Sequence, residues 1–190
     1  MLLPWRTLML AVVAIWAFLG LGAAPEAWVF DRLAIADGEW WRLVTGHWVH
    51  SDGSHAGWDI AMLLLFGVLF EPRLAWRLPL VLLVATLAVD AWLWWGVPDL
   101  RWYCGLSGIL NGLLIVGLLE WWRKTHHPLM LLTAGAAAMK IAIEIHAGQA
   151  LLTQTAWPSV PTAHAAGFLC GLVIHLLLSQ HDGRVLNESF

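Results

Sequence analysis

Six apolar segments dominate the chain, at about residues 5–24, 55–70, 78–96, 105–122, 128–147 and 162–179. A helix needs roughly 20 apolar residues to cross the hydrocarbon core of a bilayer, and each segment approaches that length. Backbone in lipid must satisfy its own hydrogen bonds, which leaves helices as the spanning form for runs of this length. The expected fold class is therefore all-α: a polytopic membrane protein with six transmembrane helices in one domain over residues 1–190. Composition agrees, because 60% hydrophobic and 12% charged residues leave too few charges to cover a soluble domain, in which about a quarter are charged. Arg6 precedes an apolar run ending in Gly22-Ala23-Ala24, as in a signal peptide. With five more spans following, it reads as a retained anchor.

Many of the 15 tryptophans, among them Trp5, Trp28, Trp76, Trp94, Trp95 and Trp157, stand at the ends of apolar runs. A membrane–water belt places amphipathic rings there. Arg6, Arg73, Arg77, Arg123, Lys124 and Arg184 fall on one side of the expected topology, and Arg32, Arg42 and Arg101 on the other. The positive-inside rule then puts both termini in the cytoplasm. With 10 basic against 13 acidic residues, no basic patch suggests a nucleic-acid partner. The first loop, about Pro25 to Ser54, mixes charges with large rings in Glu39-Trp40-Trp41-Arg42, which suits a segment lying in the interface. Cys104 and Cys170 form neither a disulfide framework nor a metal-binding pair.

On this topology Ser107 and His164 each lie two positions from the outer start of a span, the fourth and the sixth. Both spans run outside to inside, so the two side chains should share one depth. A nucleophile and its base need that, since they must approach within about 3 Å. Gly108 and Gly112 are four apart, as are Gly167 and Gly171, and small-xxx-small faces let membrane helices pack backbone to backbone. Taken singly, each feature has a plainer reading. A serine in a membrane helix usually bonds its own backbone, and such glycine faces are mostly structural. An intramembrane histidine is the stronger pointer, because ionisable groups there tend to face cavities.

These residues resemble the rhomboid family of intramembrane serine proteases. The family's GxSG is matched by Gly105-Leu106-Ser107-Gly108, its HxxGxxxG by His164, Gly167 and Gly171, and its first-loop E-x-W-R by Glu39, Trp41 and Arg42. Glu71-Pro72-Arg73-Leu74 is similar to the segment closing the family's second helix. The resemblance implies a rhomboid-like bundle and a Ser–His dyad, with Ser107 attacking a peptide carbonyl and His164 as general base. It implies an oxyanion site from His55 and backbone N–H groups near Ser107, those of Gly105, Leu106 and Ser107 itself. Glu39, Arg42 and His50 would be structural. Neither a cofactor nor a metal is implied. The partners would be transmembrane protein substrates and membrane lipid, the location the bacterial inner membrane, and the active site would open on the periplasmic side.

Two positions depart from the family pattern. Asp59 stands where an Asn usually follows the oxyanion histidine, so it either stays protonated and donates or turns away and leaves the work to His55. Asn111 stands where many members have a Tyr; it shares the face of Ser107 one turn deeper. Its amide either orients His164 as a third member or only packs helices. The short chain and the run Gly-Leu-Ser-Gly-Ile-Leu-Asn-Gly look most like the rhombosortase branch, associated with exported proteins bearing C-terminal Gly-Gly sorting tails.

Other readings are weaker. His47, His50 and His55 could be taken as an outer metal site, but no acidic or Cys ligand stands at a convincing spacing. His146 and His175 belong near opposite faces, which argues against haem. Lys140 and Glu144, four apart, should neutralise one another on one face of the fifth span. Asp90 either pairs with Lys140 or lines a cavity. The competing function is a rhomboid-like protein without catalysis that binds transmembrane helices.

Overall fold

The computed structural model describes residues 3–188, with side chains up to Gln180; the Arg184 side chain, counted above among the cytoplasmic charges, lies outside them. The chain is mostly helical, in the order α1 (Trp5–Leu21), β1 (Phe30–Asp31), α2 (Arg32–Ala36), α3 (Arg42–Thr45), α4 (Gly53–Leu74), α5 (Arg77–Ala91), β2 (Trp102–Tyr103), α6 (Ser107–Thr125), α7 (Leu129–Ala147) and α8 (Pro161–Glu188). A π-helical turn, Trp92–Gly96, continues α5.

Among the described residues, four helices are long and apolar enough to cross a membrane: α4, α5 with its π turn, α7, and α8 over Pro161–Gln180. Helix α1 is apolar but has 17 residues. Helix α6 is different in kind. It packs against α4, α5, α7 and α8, and most of its length is buried. Neighbouring helices rather than lipid cover it, so it tolerates Ser107, Asn111 and Glu120, which a lipid-facing helix would expose at high cost.

Helix boundaries follow from the caps. Asp52 accepts the His55 N–H at 2.9 Å, which starts α4 two residues before the expected span. The helix then runs through Pro72 to Leu74 instead of ending at residue 70. This extension delivers Glu71 to the start of α1. There its carboxylate accepts the N–H groups of Arg6 (3.1 Å) and Thr7 (2.9 Å) and the Thr7 hydroxyl (2.7 Å). These are the donors a helix N-terminus leaves without partners, and Pro4 at the cap supplies no side-chain acceptor. Replacing Glu71 with alanine is therefore expected to cost about 2–3 kcal/mol, read as a lowered melting temperature in detergent. An unchanged melt would mean that α1 is held by packing alone.

The loop between α1 and α4 is pinned to the chain that precedes α6. Strand β1 pairs antiparallel with β2, Phe30 opposite Tyr103 and Asp31 opposite Trp102. Arg32 donates to the carbonyls of Trp94 (3.0 Å), Val97 (2.9 Å) and Leu100 (2.9 Å), and to that of Leu93, satisfying acceptors that the π turn and the following loop leave open. Arg42 is buried and donates to Glu39 at 2.6 Å, to the Val29 carbonyl at 3.0 Å and to the Glu26 carbonyl. Glu39 and Arg42 thus fold the first loop on itself.

Candidate active site

Ser107 is the first residue of α6, and three contacts bring it into place. The β1–β2 pairing holds the chain up to Tyr103. The Gly105 N–H then donates to the Gly46 carbonyl at 3.0 Å, tying the approach to the first loop. Gly105 itself has φ +110°, and a β-carbon there would stand 2.4 Å from His55 Nε2. Only glycine meets both conditions, so the turn into α6 and the close approach of His55 have one cause.

His164 lies in the first turn of α8, 7% exposed. Its Nε2 is 2.9 Å from Ser107 Oγ. The glycines allow this. A β-carbon on Gly167 would stand 1.9 Å from the Gly108 carbonyl oxygen, and one on Gly171 2.6 Å from that of Gly112. Backbone therefore meets backbone where α6 crosses α8. A hydroxyl and an imidazole carried beside that crossing face one another.

The other ring nitrogen decides the chemistry. His164 Nδ1 is 3.0 Å from Glu144 Oε2 on α7, and Glu144 is fully buried. A carboxylate oxygen accepts, so Nδ1 carries the proton and Nε2 presents its lone pair to Ser107. Asn111 does not fill this place. Its Nδ2 donates to the Ser107 carbonyl at 2.8 Å, a bond back one turn within α6 that leaves no hydrogen bond to His164. The expected orienting amide is replaced by a carboxylate.

Asp59 neither donates nor turns away. Its Oδ2 accepts the Leu106 N–H at 2.7 Å and lies 3.3 Å from His50 Nε2 and 3.5 Å from His55 Nε2. His50, fully buried, lies close to Asp59 without hydrogen-bond alignment; both its ring nitrogens lack a partner. Two of the expected oxyanion donors are thereby committed elsewhere, the Leu106 N–H to Asp59 and the Gly105 N–H to Gly46. Of the expected donors, the Ser107 N–H and His55 remain, and both residues line the cavity.

These groups open on a cavity of about 280 Å³ between α4, α6, α7 and the 148–160 connection. Helices α4 and α7 flank it, and among the described residues they do not pack closely on each other; Met62, Phe66 and Ala137 carry its apolar lining down between them. The connection covers one end of the cavity as a lid. Its Ala156 N–H donates to Asp52 at 2.7 Å, and its Trp157 ring lies 6.5 Å from that of Trp102. Burial pushes the Asp52 carboxyl up, but the N–H groups of Ala156, His55 and Ser54 and the Ser51 hydroxyl outweigh it and hold it at about 2, below its ordinary 3.8. The stabilisation from this lowered value is complete above pH 3.8 and is lost as pH falls through about 2. At neutral pH the lid stays tied.

Several groups were not legible in the sequence as partners. Asp90 meets neither Lys140 nor the cavity; it lies 3.0 Å from His47 Nε2. Lys140 does reach Glu144, at 2.7 Å, but the carboxylate also holds His164. His175 is bonded to Glu120 at 2.8 Å. Tyr103, absent from the expected site, donates its hydroxyl to the Gly105 carbonyl at 3.3 Å. Cys104 lines the cavity too, yet burial first, and then the Asp59 and Asp52 charges, push its thiol up to about 12. It is no thiolate at neutral pH.

Four helices long and apolar enough to cross a membrane mark a multi-pass membrane protein, and within its bundle a serine hydroxyl and a histidine ring stand in hydrogen-bond contact. The family model of the Rhomboid domain matches residues 37–181, and the chain belongs to the rhomboid family, whose members are intramembrane serine proteases acting on transmembrane substrates. No curated protein matches the chain.

Proposed function

We propose that the protein is an intramembrane serine endopeptidase that cleaves a transmembrane segment of exported proteins near the outer membrane–water boundary. Ser107 attacks the scissile carbonyl, His164 takes its proton, and the Ser107 N–H with His55 receives the developing oxyanion. The observation that carries this reading is the 2.9 Å contact between Ser107 Oγ and His164 Nε2 at the wall of a cavity. The gap between α4 and α7 supplies a side entrance for an apolar helix, and the closed lid keeps bulk water from the hydroxyl. In this reading α1 and α6 join the four candidate spans in a six-span topology, with both termini in the cytoplasm of a bacterial inner membrane. The same topology puts Ser107 near the periplasmic face. Within the family, the Gly-Leu-Ser-Gly-Ile-Leu-Asn-Gly run favours the rhombosortase branch and Gly-Gly sorting tails as substrates.

One observation favours a second reading, a non-catalytic protein that binds transmembrane helices: Asp59 occupies the Leu106 N–H and places a carboxylate beside the oxyanion position. A serine-directed fluorophosphonate separates the two. The protease reading expects covalent labelling of the wild type and none of Ser107→Ala. A wild type that stays unlabelled in its folded state would support the helix-binding protein instead.

A further inference from the structure

Glu144 sits one turn before the C-terminus of α7 with no exposed surface. A buried carboxylate is expensive unless every oxygen is engaged, and here both are. Oε2 faces His164 Nδ1 at 3.0 Å; Oε1 faces Lys140 Nζ at 2.7 Å and accepts the Leu151 N–H at 3.0 Å. The three partners come from three places: α8, the preceding turn of α7, and the lid. Together they fix the carboxylate against rotation. Lys140 lines the cavity wall and balances the charge on Glu144 without touching His164.

We infer that Glu144 is a positioning residue of the reaction, the third member of a Ser107–His164–Glu144 relay held in register by Lys140 and by the lid. The inference rests on the protease reading above. In the attack step the Ser107 Oγ–H bond breaks and Oγ bonds to the carbonyl carbon, while the proton moves to His164 Nε2. The carbonyl electron pair moves onto the oxyanion. When the intermediate collapses, the oxyanion pair reforms the carbonyl, the scissile C–N bond breaks, and that proton passes from Nε2 to the leaving amine. Water then repeats the cycle on the acyl-enzyme and restores the free hydroxyl. Glu144 stays ionised throughout. Its tasks are to keep the proton of neutral His164 on Nδ1 and to face the imidazolium once Nε2 is charged. Because the Leu151 N–H shares this carboxylate, a movement of the lid reaches the base through one side chain.

Fluorophosphonate labelling needs no knowledge of the natural substrate, and it divides into the affinity for the probe and the maximal rate of bond formation to Ser107. In Glu144→Gln the amide can donate to Nδ1 and enforce the wrong tautomer. The maximal labelling rate is expected to fall about 10²–10³-fold, with probe affinity changed by less than about threefold. Glu144→Asp keeps the charge one methylene short and is expected to label at least about tenfold faster than Glu144→Gln. Packing alone predicts the reverse order, since Gln is the isostere. If Glu144→Gln does not fold, the neutral pair Lys140→Gln with Glu144→Gln takes its place against Glu144→Asp. Labelling of the glutamine variant at the wild-type rate, a loss confined to affinity, or glutamine outperforming aspartate would each overturn the inference. Should Ser107→Ala also label, the serine reading itself fails, a result distinct from these.

Discussion

His164→Ala is expected to lower the rate of peptide cleavage about 10⁴–10⁶-fold, and adding Ser107→Ala to it is expected to lower the rate no further. The argument starts from the 2.9 Å contact. At neutral pH a serine hydroxyl is a poor nucleophile, and it reacts only as fast as something removes its proton. His164 Nε2 is the acceptor in reach. With the imidazole gone the hydroxyl remains in place but unactivated, so a second deletion removes a group already idle. Residues that act as one unit are non-additive in this way. The loss should fall on kcat and leave KM nearly unchanged, because His164 lines the cavity with little of its surface, at 7% exposure, and turns its Nε2 to the reacting hydroxyl. Single-turnover cleavage of a transmembrane peptide by both single variants and the double variant measures this. Losses that multiply in the double variant would mean that the two residues act separately, and the relay would be wrong.

What the sequence made legible follows from which forces act along the chain and which act across it. Lipid imposes a length on apolar segments, so the four helices long and apolar enough to cross could be located from composition alone. Spacing also exposes one helix face at a time: Ser107 with Gly108 on one helix, and His164 with Gly167 on another. The partners of polar groups are set by tertiary approach, and no periodicity encodes that. Lys140 and Glu144 were visible as a pair because they are four apart. The 20-residue step from Glu144 to His164 and the 43-residue step from His47 to Asp90 cross loops. Asn111 was placed on the right face, yet a local bond to the carbonyl one turn back outcompetes a bond across helices, as short amides often do. At Asp59 the departure from the family pattern was legible. Its outcome was not, because it depends on the Leu106 N–H pointing at α4.

Gly167→Val is expected to abolish cleavage and to destabilise the fold by more than about 3 kcal/mol, the upper range for forcing bulk into a packed core. A β-carbon at this position would lie 1.9 Å from the Gly108 carbonyl oxygen and 2.9 Å from the Gly108 carbonyl carbon. Both obstacles are backbone, so no side-chain rotation relieves them. Helix α8 would have to move away from α6 by more than about 1 Å to restore an ordinary contact, and a misplacement of that size already costs about 100-fold in rate. His164 is three residues before Gly167 on the same side of α8, so it moves with the displaced face and loses the 2.9 Å contact with Ser107. Even Gly167→Ala should therefore lose most activity, while the larger side chain should also lower the melting temperature sharply. Gly135→Ala on α7 is the control. A β-carbon there meets nothing within 4 Å, and removing a helical glycine should leave cleavage intact and stabilise by about 0.5–1 kcal/mol. Melting curves and fluorophosphonate labelling of the three variants decide it. A Gly167→Val protein that melts and labels like the wild type would show that α6 and α8 do not meet at these glycines. The contact between Ser107 and His164 would then have to be built in another way.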